Sequence, residues 1–165
     1  MKAVLLRHAT RSATGLGDSS LNALGSNQAE ALAQRCLAPH GPLPHPTHLL
    51  VSPKLRARET LQPLSETTRL HLKIDERLDE RHQNETSAEF MARVRQFLAE
   101  VEQTPEKDSC VFICSHLDWL EAALITISSD MNEIESAASW MTAEFRIFKI
   151  EDGLWSLKNR GRAEG

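Results

Sequence analysis

The chain of 165 residues is 41% hydrophobic, enough for one domain with a substantial buried core, and residues 1–165 are read as a single domain. Its formal net charge of -4 gives no global electrostatic case for nucleic acid, so any anion site has to be local. Cys36, Cys110 and Cys114 have no metal-type spacing, and their odd number argues against a secreted disulfide framework and for a reducing cytoplasm. Residues 3–6 are too short for the core of a secretory signal, and no later run approaches a membrane span.

In chain order, Ala3, Val4, Leu5 and Leu6 are apolar at every position, the pattern of a central strand covered on both faces, and the run stops abruptly at Arg7 and His8. Residues 9–20, rich in Thr, Ser and Gly, form a loop beside that strand end. Leu24, Ala31, Leu32 and Leu37 give a rough apolar face to a helix over residues 22–37, with Asn22 or Ser20 as its cap and Gly25 weakening its start. Four prolines make residues 39–46 a surface connection. His40, His45 and His48 in and beside it lack an acid or cysteine to complete a metal set.

Residues 48–52 are the next strand, and Pro53 suits the first turn of a helix over residues 54–65 that places Arg56 near its N-terminus. Pro63 is expected to kink that helix or end it early. Residues 70–74 alternate as a half-buried strand, followed by a charged loop over residues 75–85. Phe90, Met91, Val94, Phe97, Leu98 and Val101 recur at three- and four-residue steps, which predicts a core-facing helix over residues 88–103. Residues 110–114 repeat the doubly buried strand pattern and end at Ser115 and His116, with a helix over residues 117–127 behind them. Residues 131–139 fit neither period. Residues 143–150 and 154–158 read as late strands turning at Glu151, Asp152 and Gly153. Trp119 and Trp140 can line an interface or cover core.

Strands alternating with helices predict an α/β fold, a three-layer sandwich with a mostly parallel central sheet flanked by helices. Ligands of such sheets bind at the C-terminal ends of the strands. Arg7 and His8 stand at one such end, His116 at another, and Arg56 just beyond a third. If those strands are neighbours, two arginines and two histidines converge on one crevice. A guanidinium presents a fixed fork of donors that matches phosphate oxygens, and the helix N-terminus near Arg56 adds partial positive charge. Taken singly, a hydrogen-bonded strand-end histidine or a solvated arginine face explains each residue; their joint placement points to phosphate.

These residues resemble the histidine phosphatase superfamily, the phosphoglycerate-mutase-like fold. Residues 6–10, Leu6-Arg7-His8-Ala9-Thr10, are similar to its Arg-His-Gly signature; residues 21–29 to its leucine-threonine, glycine and glutamine-alanine segment; and residues 52–60, with Ser52, Pro53, Arg56 and Ala57, to its second arginine motif. Residues 78–82 resemble the segment carrying the family's proton donor, and Ser115-His116 its second histidine. Three positions depart from the pattern: Ala9 replaces a glycine and brings a methyl that would tighten backbone clearance around phosphate, Leu117 replaces a second glycine, and Asn84 stands where many relatives have glycine. Ser115-His116-Leu117 is similar instead to the small SixA-type phosphohistidine phosphatases.

The resemblance implies a metal-independent phosphatase with no cofactor, acting on a phosphomonoester or a protein phosphohistidine through a phosphohistidine intermediate on His8. Arg7, Arg56 and His116 would hold the phosphoryl oxygens, with Thr14 and Leu117 completing the substrate-binding set, and Glu80 would be the acid, with Glu85 as the alternative. The implied partner is a phosphorylated small molecule or a phosphoprotein, with neither nucleic acid nor membrane. Two other readings stay open on the same fold: a phosphoglycerate-type mutase, and a catalytically weak phosphate-binding or interaction module.

Overall fold

The first strand, β1 (Lys2–Arg7), is apolar at four successive positions because both of its faces are covered. In the computed structural model, which describes residues 1–13, 17–104, 106 and 108–164, Val4 and Leu6 pack into one core cluster with α1 (Ala23–Leu37) and α2 (Leu55–Thr68). Ala3 and Leu5 pack into the opposite cluster with α3 (Ser87–Glu102) and α4 (Leu117–Thr126). The strand β4 (Cys110–Ser115) divides in the same way, with Val111 and Ile113 on the α3/α4 side and Cys110, Phe112 and Cys114 on the α1/α2 side. The three cysteines are buried and unpaired.

The sheet has the order β3-β2-β4-β1-β6-β7-β5, where β2 is His48–Val51, β3 Leu72–Ile74, β5 Ser128–Ser129, β6 Glu144–Glu151 and β7 Leu154–Arg162. Only β6 runs against its neighbours, so the expected mostly parallel three-layer architecture is found. The order matters for the site. The strands β2, β4 and β1 are adjacent and parallel, in register Val51↔Cys114 and Arg7↔Ser115, so the residues that follow their C-terminal ends open onto one crevice.

Several boundaries differ from the sequence expectation for identifiable reasons. Pro63 does not end α2, which continues to Thr68. The proline forfeits one backbone bond, but Ala57, Leu61 and Leu64 are fully buried on both sides of it, and that packing holds the helix together. The helix stops at Arg69, whose φ of 59° is left-handed, and Ser65 Oγ donates to the Leu70 carbonyl, which shortens β3 to three residues. The α3 helix starts at Ser87 behind a reciprocal Thr86/Glu89 capping box. Residues 76–78 form a 3-10 turn inside the charged loop. In the stretch that fitted neither period, a five-residue helix α5 (Glu133–Ala137) is capped by Asn132. Strand β7 runs to Arg162, beyond the expected end at residue 158, because its pairing with β6 continues to Glu144. Trp119 and Trp140 are both buried, which decides for core over interface.

Gly25 is a requirement of the fold. A Cβ there would lie 2.0 Å from the Thr10 carbonyl oxygen, so the bare backbone lets the first turn of α1 close on the loop that follows β1. Asn22 completes this junction, its amide donating to Thr10 O and its side chain accepting from Gly25 N at 2.8 Å.

Candidate active site

A cleft of about 420 Å³ lies over the C-terminal ends of β1 and β4, lined by Arg7, His8, Thr10, Arg11, Arg56, Glu80, His116, Leu117, Asp118, Glu121 and Thr142. All the residues singled out from the sequence as catalytic are among them, as is Leu117; Thr14 lies outside the described residues. His8 follows β1, with its amide on the Ser115 carbonyl, and His116 follows β4 as the N-cap residue of α4. Their rings stand 5.2 Å apart. Arg56, in the first turn of α2, reaches between them: Nε points at His8 Nε2 (3.4 Å) and Nη2 at His116 Nδ1 (3.2 Å) and Glu80 Oε2 (2.8 Å).

The hydrogen bonds assign a tautomer to each ring. His8 Nδ1 lies 2.8 Å from the Ala9 carbonyl, which can only accept, so Nδ1 carries the proton and Nε2 keeps its lone pair toward the cleft. His116 Nδ1 faces a guanidinium, which can only donate, so the proton sits on Nε2 and is given to Ser52 Oγ at 2.7 Å. Burial pushes His8 down to about 4, with the charges of Arg56, Arg7 and Arg11 acting in the same direction and the bond to Ala9 opposing them. Burial likewise pushes His116 down to about 2, helped by His8, Arg56, Lys54 and Arg7. Both imidazoles are therefore neutral at pH 7. Burial lowers Arg7 as well, against the fields of Glu121 and Glu144. Its Nη1 donates to the Trp140 carbonyl, while its Nε is buried with no hydrogen-bond partner among the described residues.

Much of the support comes from residues outside the motif. Thr60 Oγ1 donates to Arg56 O and accepts from Ala9 N, tying α2 to the strand end. Gln28, 1% exposed, accepts from both the amide and the hydroxyl of Thr10. The loop carrying Glu80 is held by Arg93 of α3, which donates to the carbonyls of Arg77, Asp79 and Glu80 and forms a bidentate pair with Glu85. That pair holds Glu85 at about 2 and turns it away from the cleft lining. Buried Asp79 accepts from the Glu80 amide and lies against Lys54, His82 and His116. Asp18 accepts from Leu55 N at the start of α2 and stands 3.7 Å from Arg56. Thr10 and Arg11 belong to the loop expected beside the strand end, and Thr142 ends a stretch expected to carry specificity, but none was singled out; Asp118 and Glu121 were missed. The first-turn position of Asp118 and the i, i+3 spacing to Glu121 on the helix after His116 were a usable signal.

A family model for the histidine phosphatase superfamily (branch 1) matches residues 3–85. The chain belongs to the histidine phosphatase superfamily. Solved structures carry the same fold over the whole length. A putative alpha-ribazole-5'-P phosphatase from Escherichia coli superposes with a TM-score of 0.78 at 20% identity, covering 100% of this chain and 99% of that one. The protein histidine phosphatase SixA complexed with tungstate gives 0.76 at 16% identity, with 99% and 97% covered. A mycobacterial glucosyl-3-phosphoglycerate phosphatase with inorganic phosphate gives 0.71 at 23%, with 96% and 95% covered. No curated protein sequence matches the chain. Against the superfamily pattern, the alanine at position 9 is harmless for clearance: its methyl is fully buried in the α1/α2 core cluster and is absent from the cleft lining. The expected crowding of phosphate by Ala9 is therefore not found. No helix among the described residues is long and apolar enough to cross a membrane.

Proposed function

We propose that the protein is a metal-independent phosphatase that hydrolyses a phosphomonoester or a protein phosphohistidine through a phosphohistidine intermediate on His8. Membership of the histidine phosphatase superfamily and the phosphatase titles of the solved neighbours support phosphatase activity in general. The observation that carries the nucleophile assignment is the His8 Nδ1 bond to Ala9 O, which leaves a neutral ring with Nε2 turned to the cleft and Arg56 beside it.

In the first step Nε2 forms a bond to phosphorus as the bond to the leaving oxygen or nitrogen breaks. Arg7 and Arg56 hold the phosphoryl oxygens and oppose the charge that develops on them, and His116 joins them as the tautomer with its proton on Nδ1, its Nε2 then accepting from the Ser52 hydroxyl. The Leu117 amide, at the first position of α4, adds a donor to the same group, and Thr14, which lies outside the described residues, remains part of the proposed substrate-binding set. Glu80 gives a proton to the departing oxygen. Glu80 Oε2 accepts from Arg56 Nη2, and a phosphoryl oxygen claims that same donor, so substrate binding releases the carboxyl toward the leaving group. Water then attacks phosphorus, returns a proton to Glu80 and frees His8 and inorganic phosphate.

The test is turnover of a generic aryl phosphate by wild type and His8→Ala, with acid-labile, alkali-stable phosphoenzyme trapped on rapid quenching of the wild type alone. Equal turnover by both proteins refutes the nucleophile. A stable phosphoenzyme yielding isomerised product with little free phosphate would make it a mutase, and phosphate binding without turnover a binding module. Glu80→Gln should slow ester hydrolysis by about 10²-fold and phosphohistidine hydrolysis much less, since an imidazole leaves with less help from an acid; equal slowing of both removes its role.

A further inference from the structure

The mouth of the cleft is charged in a way that bears on what leaves. His8, 6% exposed, forms the floor, so in-line displacement from Nε2 sends the leaving group outward to the rim. Of the carboxylates in the lining, Glu80 is engaged by Arg56, and Asp118 accepts from the amides of Arg81 and Trp119. Glu121, one turn further along α4, is exposed and has no hydrogen-bond or ion-pair partner among the described residues, although its field reaches Arg7. Arg11, also in the lining, leans toward Ser19 Oγ, and its charge acts on His8.

The lining thus carries three guanidinium groups (Arg7, Arg11, Arg56) and three carboxylates (Glu80, Asp118, Glu121) around two neutral histidines. A phosphoryl dianion leaves that balance negative even with Glu80 protonated for its role as the acid, and the free part of the negative charge is at the mouth, where a second anion on the substrate meets Glu121 and a cation is attracted to it.

We infer that Glu121 is a specificity residue selecting substrates whose organic part carries a positive charge, an ammonium, guanidinium or imidazolium beside the phosphoryl group, over substrates carrying a carboxylate or second phosphate there. This rests on the phosphatase reading of the same cleft. It sets the protein apart from enzymes of phosphoglycerate-like esters, whose carboxylate would face Glu121.

The experiment uses three aryl phosphates: phenyl phosphate, its 4-aminomethyl derivative and its 4-carboxy derivative. The readout is the ratio of kcat/KM for the cationic to the anionic ester, in wild type and in Glu121→Gln and Glu121→Lys. A ratio taken within one protein cancels any loss of folded enzyme, and comparing ratios between proteins cancels leaving-group chemistry. The expected result is a wild-type ratio above one that falls by about tenfold in Glu121→Lys, with Glu121→Gln between them. A wild-type ratio below one, or one unchanged in Glu121→Lys, overturns the inference while His8-dependent turnover of phenyl phosphate leaves the phosphatase reading standing. Absence of His8-dependent turnover of all three esters overturns both.

Discussion

Lowering the pH tests the buried imidazoles directly. The His8 ring is held at about 4 in the folded protein against an ordinary 6.5, and that of His116 at about 2. Because each folded value lies below the unfolded one, the unfolded chain binds more protons throughout the window from 6.5 down to the folded value. Stability is therefore complete above about pH 6.5 and is lost as pH falls through that window. At pH 5 the medium is about 1.5 units below the unfolded value, and at about 1.4 kcal/mol per unit His8 alone costs about 2 kcal/mol, with His116 adding a loss of the same sign. The assay is urea denaturation of wild type and His8→Gln between pH 7.5 and pH 5. The carboxylates are common to both proteins, so the excess loss in wild type isolates the ring. Parallel pH dependences, or a wild type more stable at pH 5.5 than at pH 7.5, refute the neutral buried His8. In kinetics the same depression puts the acid limb of kcat/KM near pH 4 instead of near 6.5.

Gly25→Ala should destabilise by about 2 kcal/mol or more even though alanine is the better helix former by about 0.5–1 kcal/mol, because its methyl would overlap the Thr10 carbonyl. Since Thr10 lines the cleft, kcat/KM should fall as well; a raised Tm with full activity would show that the α1 junction is looser than described. Arg93→Met removes the donors that gather the Arg77, Asp79 and Glu80 carbonyls and strands a half-enclosed Glu85. We expect a loss of about 3 kcal/mol in chemical denaturation and a Glu80→Gln-like bias, with ester hydrolysis suffering more than phosphohistidine hydrolysis. An unchanged ratio of the two activities would remove Arg93 from the positioning of Glu80.

The parts of the fold that sequence pattern reached are those where burial is continuous. The β1 and β4 runs are apolar on both faces because helices cover both, and α3 shows its stripe because one face alone is buried. Pattern failed where backbone pairing or a remote side chain carries the structure. The last four residues of β7, Asn159 to Arg162, carry no apolar side chain and are exposed or half-buried, and their ladder with β6 keeps them extended. The local effect of Pro63 predicts a kink or an early end, but the buried Leu61 and Leu64 beside it outweigh that effect. The capping box Asn132/Glu135 was a legible sign of α5 that hydrophobic periodicity, absent from five residues, could not reinforce.

For the site the division is sharper. Arg7, His8, Arg56 and His116 were legible because strand ends and a helix start are sequence features, and the parallel order β2-β4-β1 then brings them together. Protonation and orientation were not legible, because they depend on contacts between residues far apart in the chain: Ser52 for the His116 proton, Thr60 for the Ala9 amide, Arg93 for the Glu80 loop. Ala9 shows why a motif departure cannot be weighed without the direction of its Cβ. The strand ends at Arg7, so face alternation no longer tells where position 9 points, and a methyl expected against phosphate is instead buried in the core cluster on the α1/α2 side. Its carbonyl, not its side chain, is what meets the active site: by accepting the His8 Nδ1 proton it keeps Nε2 unprotonated, a service that glycine and alanine perform equally.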